Sequence, residues 1–367
     1  MGTASSVLTD EEQAERDALV GRLYSSTIGA LEMLHVYLGE RLGLYRALAA
    51  GPLTAPQLAA KAGISQRYAR EWLEQEAVAG VLVVETGDDG ADTRRYSLPR
   101  GHAEVLTDAD SLNFFAPASR ALVAITSAMP HIMEAFRTGG GVPFEAYGED
   151  MRGAISRLNR PMFINLLGSV WFPAITDVDR RLRSQPPARV ADVGCGTGWS
   201  SISIAKAYPL AAVDGLDLDT ASIEEARRNA EASGVADRVT FEVRDAADTS
   251  LAGSYDLVTA FETIHDMSNP VGALRAMRAL TKKDGAVVVA DEKVAEEFTA
   301  PGDDRERFMY GFSAVHCLAV GMVDPESVGT GTVMRPSRLR EYAQKAGFAD
   351  IEILPVENDF WRFYRLI

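Results

Sequence analysis

Two periodicities divide this chain. Beyond about residue 186, short continuous apolar runs at 190–193, 239–246, 255–261 and 286–291 alternate with stretches of helical spacing, and a further run closes at Asp217. Runs that are apolar throughout, rather than alternating, fit strands buried on both faces of a mainly parallel sheet. Between them, 222–233 reads as a helix ending at Gly234, and 270–280 as a helix opened by Pro270. Residues 349–355 and 360–366 would supply a last strand pair. This order predicts an α/β domain, a doubly wound Rossmann-like fold.

The first half is patterned differently. Leu19, Leu23, Met33, Leu34, Tyr37, Leu38 and Leu42 recur at helical spacing, which predicts one or two amphipathic helices over 14–50. A helix capped by Thr54, a turn at Gly63 and a second helix capped by Ser65 and running to about Ala79 should follow. Two short strands, 81–85 and 95–98, flank Gly87-Asp88-Asp89-Gly90 in the manner of a wing. Residues 101–185 read as mostly helical with a break at 139–143, and Pro186-Pro187 marks a boundary. The expected organisation is a mainly α winged-helix unit over 14–100, a helical segment over 101–185 and the α/β domain over 186–367.

Composition narrows the function. At 367 residues the chain can bury two cores, and 47% hydrophobic with 24% charged residues describes a globular protein. A net charge of −15 argues against a polyanionic partner. The second wing-domain helix carries Arg67 and Arg70 against Glu71, Glu74 and Glu76, so 2 − 3 = −1, which disfavours DNA phosphates. A dimerisation module is the preferred reading, with no nucleic-acid partner. Two cysteines, Cys195 and Cys317, suggest no disulfide framework and a reducing, cytoplasmic setting. No signal peptide or membrane-length apolar stretch is evident, so no membrane partner is expected. Arginine outnumbers lysine 31 to 6, as in GC-rich bacterial genomes, so the loose myristoylation pattern at Gly2 and Ser6 carries little weight.

Candidate chemistry centres on Val190-Ala191-Asp192-Val193-Gly194-Cys195-Gly196-Thr197-Gly198. A strand entering three alternating glycines and then a helix lets the backbone turn tightly and approach a ligand closely. The spacing G-x-G-x-G differs from the dinucleotide fingerprint G-x-G-x-x-G, whose last glycine falls here on bulky Trp199, and no Walker A run occurs. Asp217, at the tip of the next strand, is placed to take two ribose hydroxyls.

The glycine loop resembles motif I of class I S-adenosylmethionine-dependent methyltransferases, and the strand order over about 186–367 agrees with it. The resemblance implies a seven-stranded, mostly parallel sheet and S-adenosyl-L-methionine as cofactor, leaving S-adenosyl-L-homocysteine. Carried over, cofactor contacts fall on Asp192, Gly194, Cys195, Gly196, Gly198, Asp217, Leu218 and Phe261, with Asp245 and the backbone of Ala246 at the adenine. The winged-helix half is similar to that of caffeate-type and bacterial natural-product O-methyltransferases, where it pairs two subunits. A homodimer is therefore implied.

The loop Phe261-Glu262-Thr263-Ile264-His265-Asp266-Met267 lacks the [ND]-P-P-[FY] run of many amine methyltransferases. It resembles the His-Asp-Trp stretch of the caffeate-type enzymes, whose histidine is the general base. That role falls on His265, with Met267 standing where the family has tryptophan. An imidazole near its usual range can take a phenolic proton at neutral pH. Phe163 and Trp171, in an apolar segment before the first strand, Glu292 after the fifth strand, and His316 in a helical insertion near 303–333 are the candidate acceptor contacts. Metal-ligand spacing is lacking, so no metal is expected. The leading expectation is methylation of a hydroxyl on an aromatic or natural-product-like small molecule. N- or C-methylation, a DNA-binding regulator with a cofactor-sensing domain, and other sulfonium chemistry on the same fold stay open.

Overall fold

The structure, a computed structural model, describes residues 8–85, 90–245 and 252–367. The chain divides into two compact units, Met1–Val123 and Ala124–Ile367, so the helical segment expected over 101–185 is split between them.

The first unit opens on a helix over Asp10–Arg41, started by Thr9, whose hydroxyl and backbone exchange hydrogen bonds with Glu12. Thr54 and Gln57 make the same reciprocal cap for Ala55–Ala62. Gln66–Val78 follows; Ser65 holds the extended N-cap backbone there, but its hydroxyl makes no capping bond, contrary to expectation. The wing reduces to β1 (Val83–Val84) and β2 (Tyr96–Ser97), paired antiparallel, and residues 87–89 of its predicted tip lie outside the described residues. Leu44, Tyr45, Leu58, Trp72, Leu73 and Tyr96 form the core.

Glu76 corrects the charge count on the Gln66–Val78 helix. It is buried, accepts a 2.7 Å hydrogen bond from Tyr45 Oη, and burial pushes its carboxyl up to about 7. Without it the balance is 2 − 2 = 0 on that helix. The long first helix spans about 48 Å. Val20, Leu23, Tyr24, Leu31, Leu34 and Leu38 stay exposed along it.

The second unit holds β3 (Arg189–Val193), β4 (Ala212–Asp217), β5 (Val239–Val243), β6 (Tyr255–Phe261), β7 (Thr281–Glu292), β8 (Ile351–Ile353) and β9 (Trp361–Leu366). They form one seven-stranded sheet in the order β5-β4-β3-β6-β7-β9-β8. All neighbours are parallel except β9, which is antiparallel to both β7 and β8. The chain runs outward from β3 through β4 and β5, then returns to place β6 on the other side. Loops at the carboxyl ends of β3 and β6 therefore diverge and open a crevice. Apolar clusters cover both faces: Ile202, Val213, Phe241 and Leu257 on one, Val193, Val258, Leu274 and Met277 on the other. That double burial is why these strands read as continuous apolar runs.

Ahead of β3, a helix over Gly148–Met162 passes into a π-helical stretch, Phe163–Trp171. Trp171 is fully buried, its ring 5.6 Å from Trp361 and 5.0 Å from Phe363. It packs the core rather than lining an acceptor pocket, a correction to the expectation. Phe163 sits at the edge of this cluster, against Phe261 at 5.4 Å. No helix among the described residues is long and apolar enough to cross a membrane.

Candidate active site

The glycine loop closes β3 and starts the helix Trp199–Ala207. Gly194 and Gly198 have φ of +69° and +84°. An added Cβ would lie 2.3 Å from Thr263 Oγ1 at Gly194 and 2.5 Å from the Phe241 ring at Gly198, so glycine is required twice over. Gly196 differs: its missing Cβ would meet open space, which leaves one side of the loop clear for a ligand. Its N–H donates to Asp217 Oδ2 at 2.8 Å, while Asp219 N–H donates to Oδ1 at 2.9 Å. Burial raises the Asp217 carboxyl and these backbone donors pull it back. Each oxygen is thus fixed in direction with lone pairs to spare for a diol. These features fit a ribose-bearing ligand.

Leu218 beside Asp217 is 68% exposed, an apolar lip at the strand end. Asp245 lies exposed beyond β5, Phe261 ends β6, and Ala246 falls outside the described residues. Cys195 is buried and its thiol is pushed up well above the ordinary range by burial, so its contribution is backbone shape. Asp192 is buried beneath the loop, taking the hydroxyls of Ser200 at 2.5 Å, Ser201 at 2.7 Å and Thr259 at 2.8 Å. It braces the loop from below.

One face of the Gly148–Met162 helix meets three loops of the crevice, a contact that sequence patterning gave no hint of. Arg152 Nε donates to Asp219 Oδ2 at 2.8 Å, and Ser156 and Thr197 hydroxyls pair at 2.7 Å. Asn159 Nδ2 donates to Glu262 Oε2, and the Arg160 guanidinium lies 4.4 Å over the Trp199 ring. Positions 152, 156, 159 and 160 share a helix face, which is what lets one helix reach all these loops.

The loop after β6 begins with Glu262, the described non-glycine residue with positive φ, at +52°. For a residue with a Cβ this is a costly conformation, held by surroundings. Burial raises its carboxyl, and burial together with the charge of Glu262 raises that of Glu292, at the end of β7. His265 follows in a 3₁₀ turn over Ile264–Asp266, buried beneath the surface. Its Nδ1 is 2.7 Å from Asp291 Oδ1 and its Nε2 is 3.2 Å from Asp266 Oδ1. Burial alone would lower the imidazole, but the two acids outweigh it and hold its proton well above the ordinary histidine range. Sequence led to expect a ring titrating near neutrality; the flanking carboxylates raise it above that range.

His316 lies in a second π-helical turn, Ser313–Cys317. It is buried, edge-on to Phe144 at 6.0 Å and Tyr147 at 4.8 Å, and burial lowers its pKa. The structure therefore brings Glu262, His265, Asp266, Asp291 and Glu292 together. Of these, sequence had singled out His265 and Glu292. Asp291 was hidden as the last polar residue of an apolar run, and Asn159 and Glu262 carry no motif.

Residues 185–347 match the family model described as "Methyltransferase domain", and residues 30–108 match the "Rv2258c-like winged HTH domain". An O-methyltransferase of Pyrenophora dematioidea is 32% identical over 116 residues, 31% of this chain and 43% of the relative. A ubiquinone biosynthesis O-methyltransferase of Neisseria meningitidis is 38% identical over 102 residues, 27% of this chain and 42% of the relative. The chain thus spans less than half the length of these curated relatives. Among solved structures, mitomycin 7-O-methyltransferase superposes with a TM-score of 0.68 at 19% identity, covering 96% of this chain and 98% of that one. Human N-acetylserotonin methyltransferase in complex with S-adenosylmethionine superposes with a TM-score of 0.64 at 19% identity, covering 99% of each. These two share the fold.

Proposed function

Because the chain pairs a methyltransferase domain with a winged-helix domain, we propose that it is an S-adenosylmethionine-dependent enzyme methylating a hydroxyl of a small molecule. The reading is carried by one juxtaposition: the glycine loop packs on Thr263, so Asp217 and the acid–histidine cluster serve one crevice. The sulfonium supplies an electrophilic methyl carbon. Asp217 and the loop backbone, with Asp245 and Ala246 beyond β5, hold the adenosine; Asp192 braces the loop; Leu218 and Phe261 flank it. Phe163, Glu292 and His265 face the acceptor end, and His316 lies one step behind. In-line placement of the acceptor behind the methyl carbon supplies most of the acceleration.

Two measurements test this. Calorimetry should detect S-adenosylhomocysteine binding, and a metabolite-extract screen with methyl-labelled cofactor should transfer label to a hydroxyl-bearing small molecule. Label arriving on a protein or nucleic acid, or no binding at all, would refute the reading.

The second half of the proposal is a homodimer built through residues 14–100, acting in the cytoplasm, where the free thiols Cys195 and Cys317 fit. The exposed apolar stripe on the Asp10–Arg41 helix supports pairing. The balanced charge of the Gln66–Val78 helix speaks against DNA. Light scattering should return about twice the 39.7 kDa chain mass, and a low-salt gel shift with genomic fragments should show no specific band. A monomer would defeat the dimer; a sequence-specific shift would favour the regulator.

A further inference from the structure

Cys317 is a buried thiol with no part in methyl transfer. The insertion after β7 carries it to the turn that holds His265. Tyr147 Oη donates to Val315 O at 2.9 Å, and Ser268 Oγ donates to Gly321 O at 2.9 Å. Gly321 approaches that turn so closely that an added Cβ would lie 3.2 Å from Asp266 O. Between these anchors runs the π-helical turn Ser313–Cys317, a kind of helix irregularity that recurs at functional sites.

A ring nitrogen of His265, a carboxylate oxygen of Asp266 and the Cys317 sulfur lie within 4.8 Å of one another. His265 Nε2 and Asp266 Oδ1 are 3.2 Å apart, yet Oδ1 is shut off from solvent without a hydrogen-bond partner among the described residues. The two atoms are near each other without being aimed at each other. A buried acceptor left in that state calls for a partner. Two ligands on a tetrahedral zinc ion, with bonds of ~2.0–2.1 Å, sit about 3.3 Å apart, which is close to the separation seen here. On the far side of the ring, Nδ1 is 2.7 Å from Asp291 Oδ1, the outer carboxylate that metal-bound histidines usually have.

We propose that His265 Nε2, Asp266 Oδ1 and Cys317 Sγ bind one zinc ion, with Asp291 as a positioning residue behind the ring. A mixed nitrogen, oxygen and sulfur set suits zinc rather than magnesium or calcium, which take oxygen. Binding displaces the thiol proton and any proton on Nε2, and leaves the fourth tetrahedral position to water. The ion ties the insertion to the loop after β6. These segments are far apart in the chain, which is why sequence spacing showed no metal pattern. The ion also takes the Nε2 lone pair, so His265 keeps none for an acceptor's proton. The site stands apart from the methyl-transfer reading, and its test needs neither cofactor nor turnover.

Tag-free protein stripped with a chelator and titrated with cobalt(II) should bind one equivalent and develop a near-ultraviolet sulfur-to-cobalt charge-transfer band, displaced by zinc. Asp291→Ala should keep the band and weaken binding by about 10–100-fold. Asp266→Ala should weaken it further, and Cys317→Ala should also abolish the band, while Cys195→Ala should keep both band and affinity. Zinc should raise the melting temperature of the wild type but not of Cys317→Ala. Thermal melts certify folding, with Cys317→Ser as the substitute if the alanine variant does not fold. X-ray absorption at the zinc edge of the wild type gives a reading free of substitutions: one sulfur and a nitrogen or oxygen shell. Chelator-treated protein is the reference state for every stability comparison at His265. No cobalt binding, a shell without sulfur, a band that survives loss of Cys317, or unchanged affinity in Asp266→Ala would each overturn the proposal.

Discussion

Replacing His265 by alanine is expected to cost about 3–5 kcal/mol of unfolding free energy near neutral pH, the usual price of stranding a buried charge. The ring lies between Asp291 at 2.7 Å and Asp266 at 3.2 Å, and Asp291 is itself buried. Removing the ring takes away the partner that Asp291 and Asp266 share beside Glu262 and Glu292. The pH dependence has a definite sign. A histidine whose folded pKa is raised contributes stability fully present below its unfolded value of about 6.5, and loses it as pH rises through the folded one. The wild-type advantage over His265→Ala should therefore be largest at mildly acidic to neutral pH and shrink on the alkaline side. Denaturant titrations at several pH values would read it. A constant gap, or one growing with pH, would mean that the ring is neutral and acts by packing alone. S-adenosylhomocysteine affinity should change little, because the proposed adenosine contacts, Asp217 and Asp245, lie elsewhere.

The same residue shows where sequence reasoning reaches and where it stops. His265 could be found, because a histidine and an acid after the fourth strand of this domain form a recognisable stretch. Its raised pKa could not, because it depends on Asp291, which sits in the register of β7 and looks like the polar end of an apolar strand. The strands themselves were legible for a related reason: burial on both faces makes β3, β6 and β7 continuous in hydrophobicity. The motif loop was legible because its shape needs glycine at Gly194 and Gly198, whatever side chains surround it. The contribution of the Gly148–Met162 helix was not. Arg152, Ser156 and Asn159 are ordinary surface residue types, and only their partners Asp219, Thr197 and Glu262, far along the chain, give them a role. Trp171 misled in the opposite direction. An aromatic segment before the sheet suggested a pocket, yet its indole fills the core beside Trp361 and Phe363. Large apolar residues signal burial; they do not say whether the buried surface faces a ligand or a neighbour.

Asp217→Ala should weaken S-adenosylhomocysteine binding by about 2–3 kcal/mol, roughly 30- to 150-fold, with little change in the melting temperature of the unliganded protein. The affinity loss follows from two charge-assisted hydrogen bonds to the ribose diol. The modest stability effect follows from position: Asp217 ends β4 at the crevice, and the Gly196 and Asp219 N–H groups it holds can turn to water there. Asp217→Asn sharpens the test. An amide can accept from one of those N–H groups, but its NH₂ would oppose the other donor, so the side chain must rotate away from the diol-binding direction. Asparagine should therefore be nearly as damaging as alanine, although it preserves size and one acceptor. If asparagine restored most of the affinity, the carboxylate would be serving the loop rather than the ligand. Wild-type affinity in the alanine variant would remove Asp217 from the cofactor site altogether.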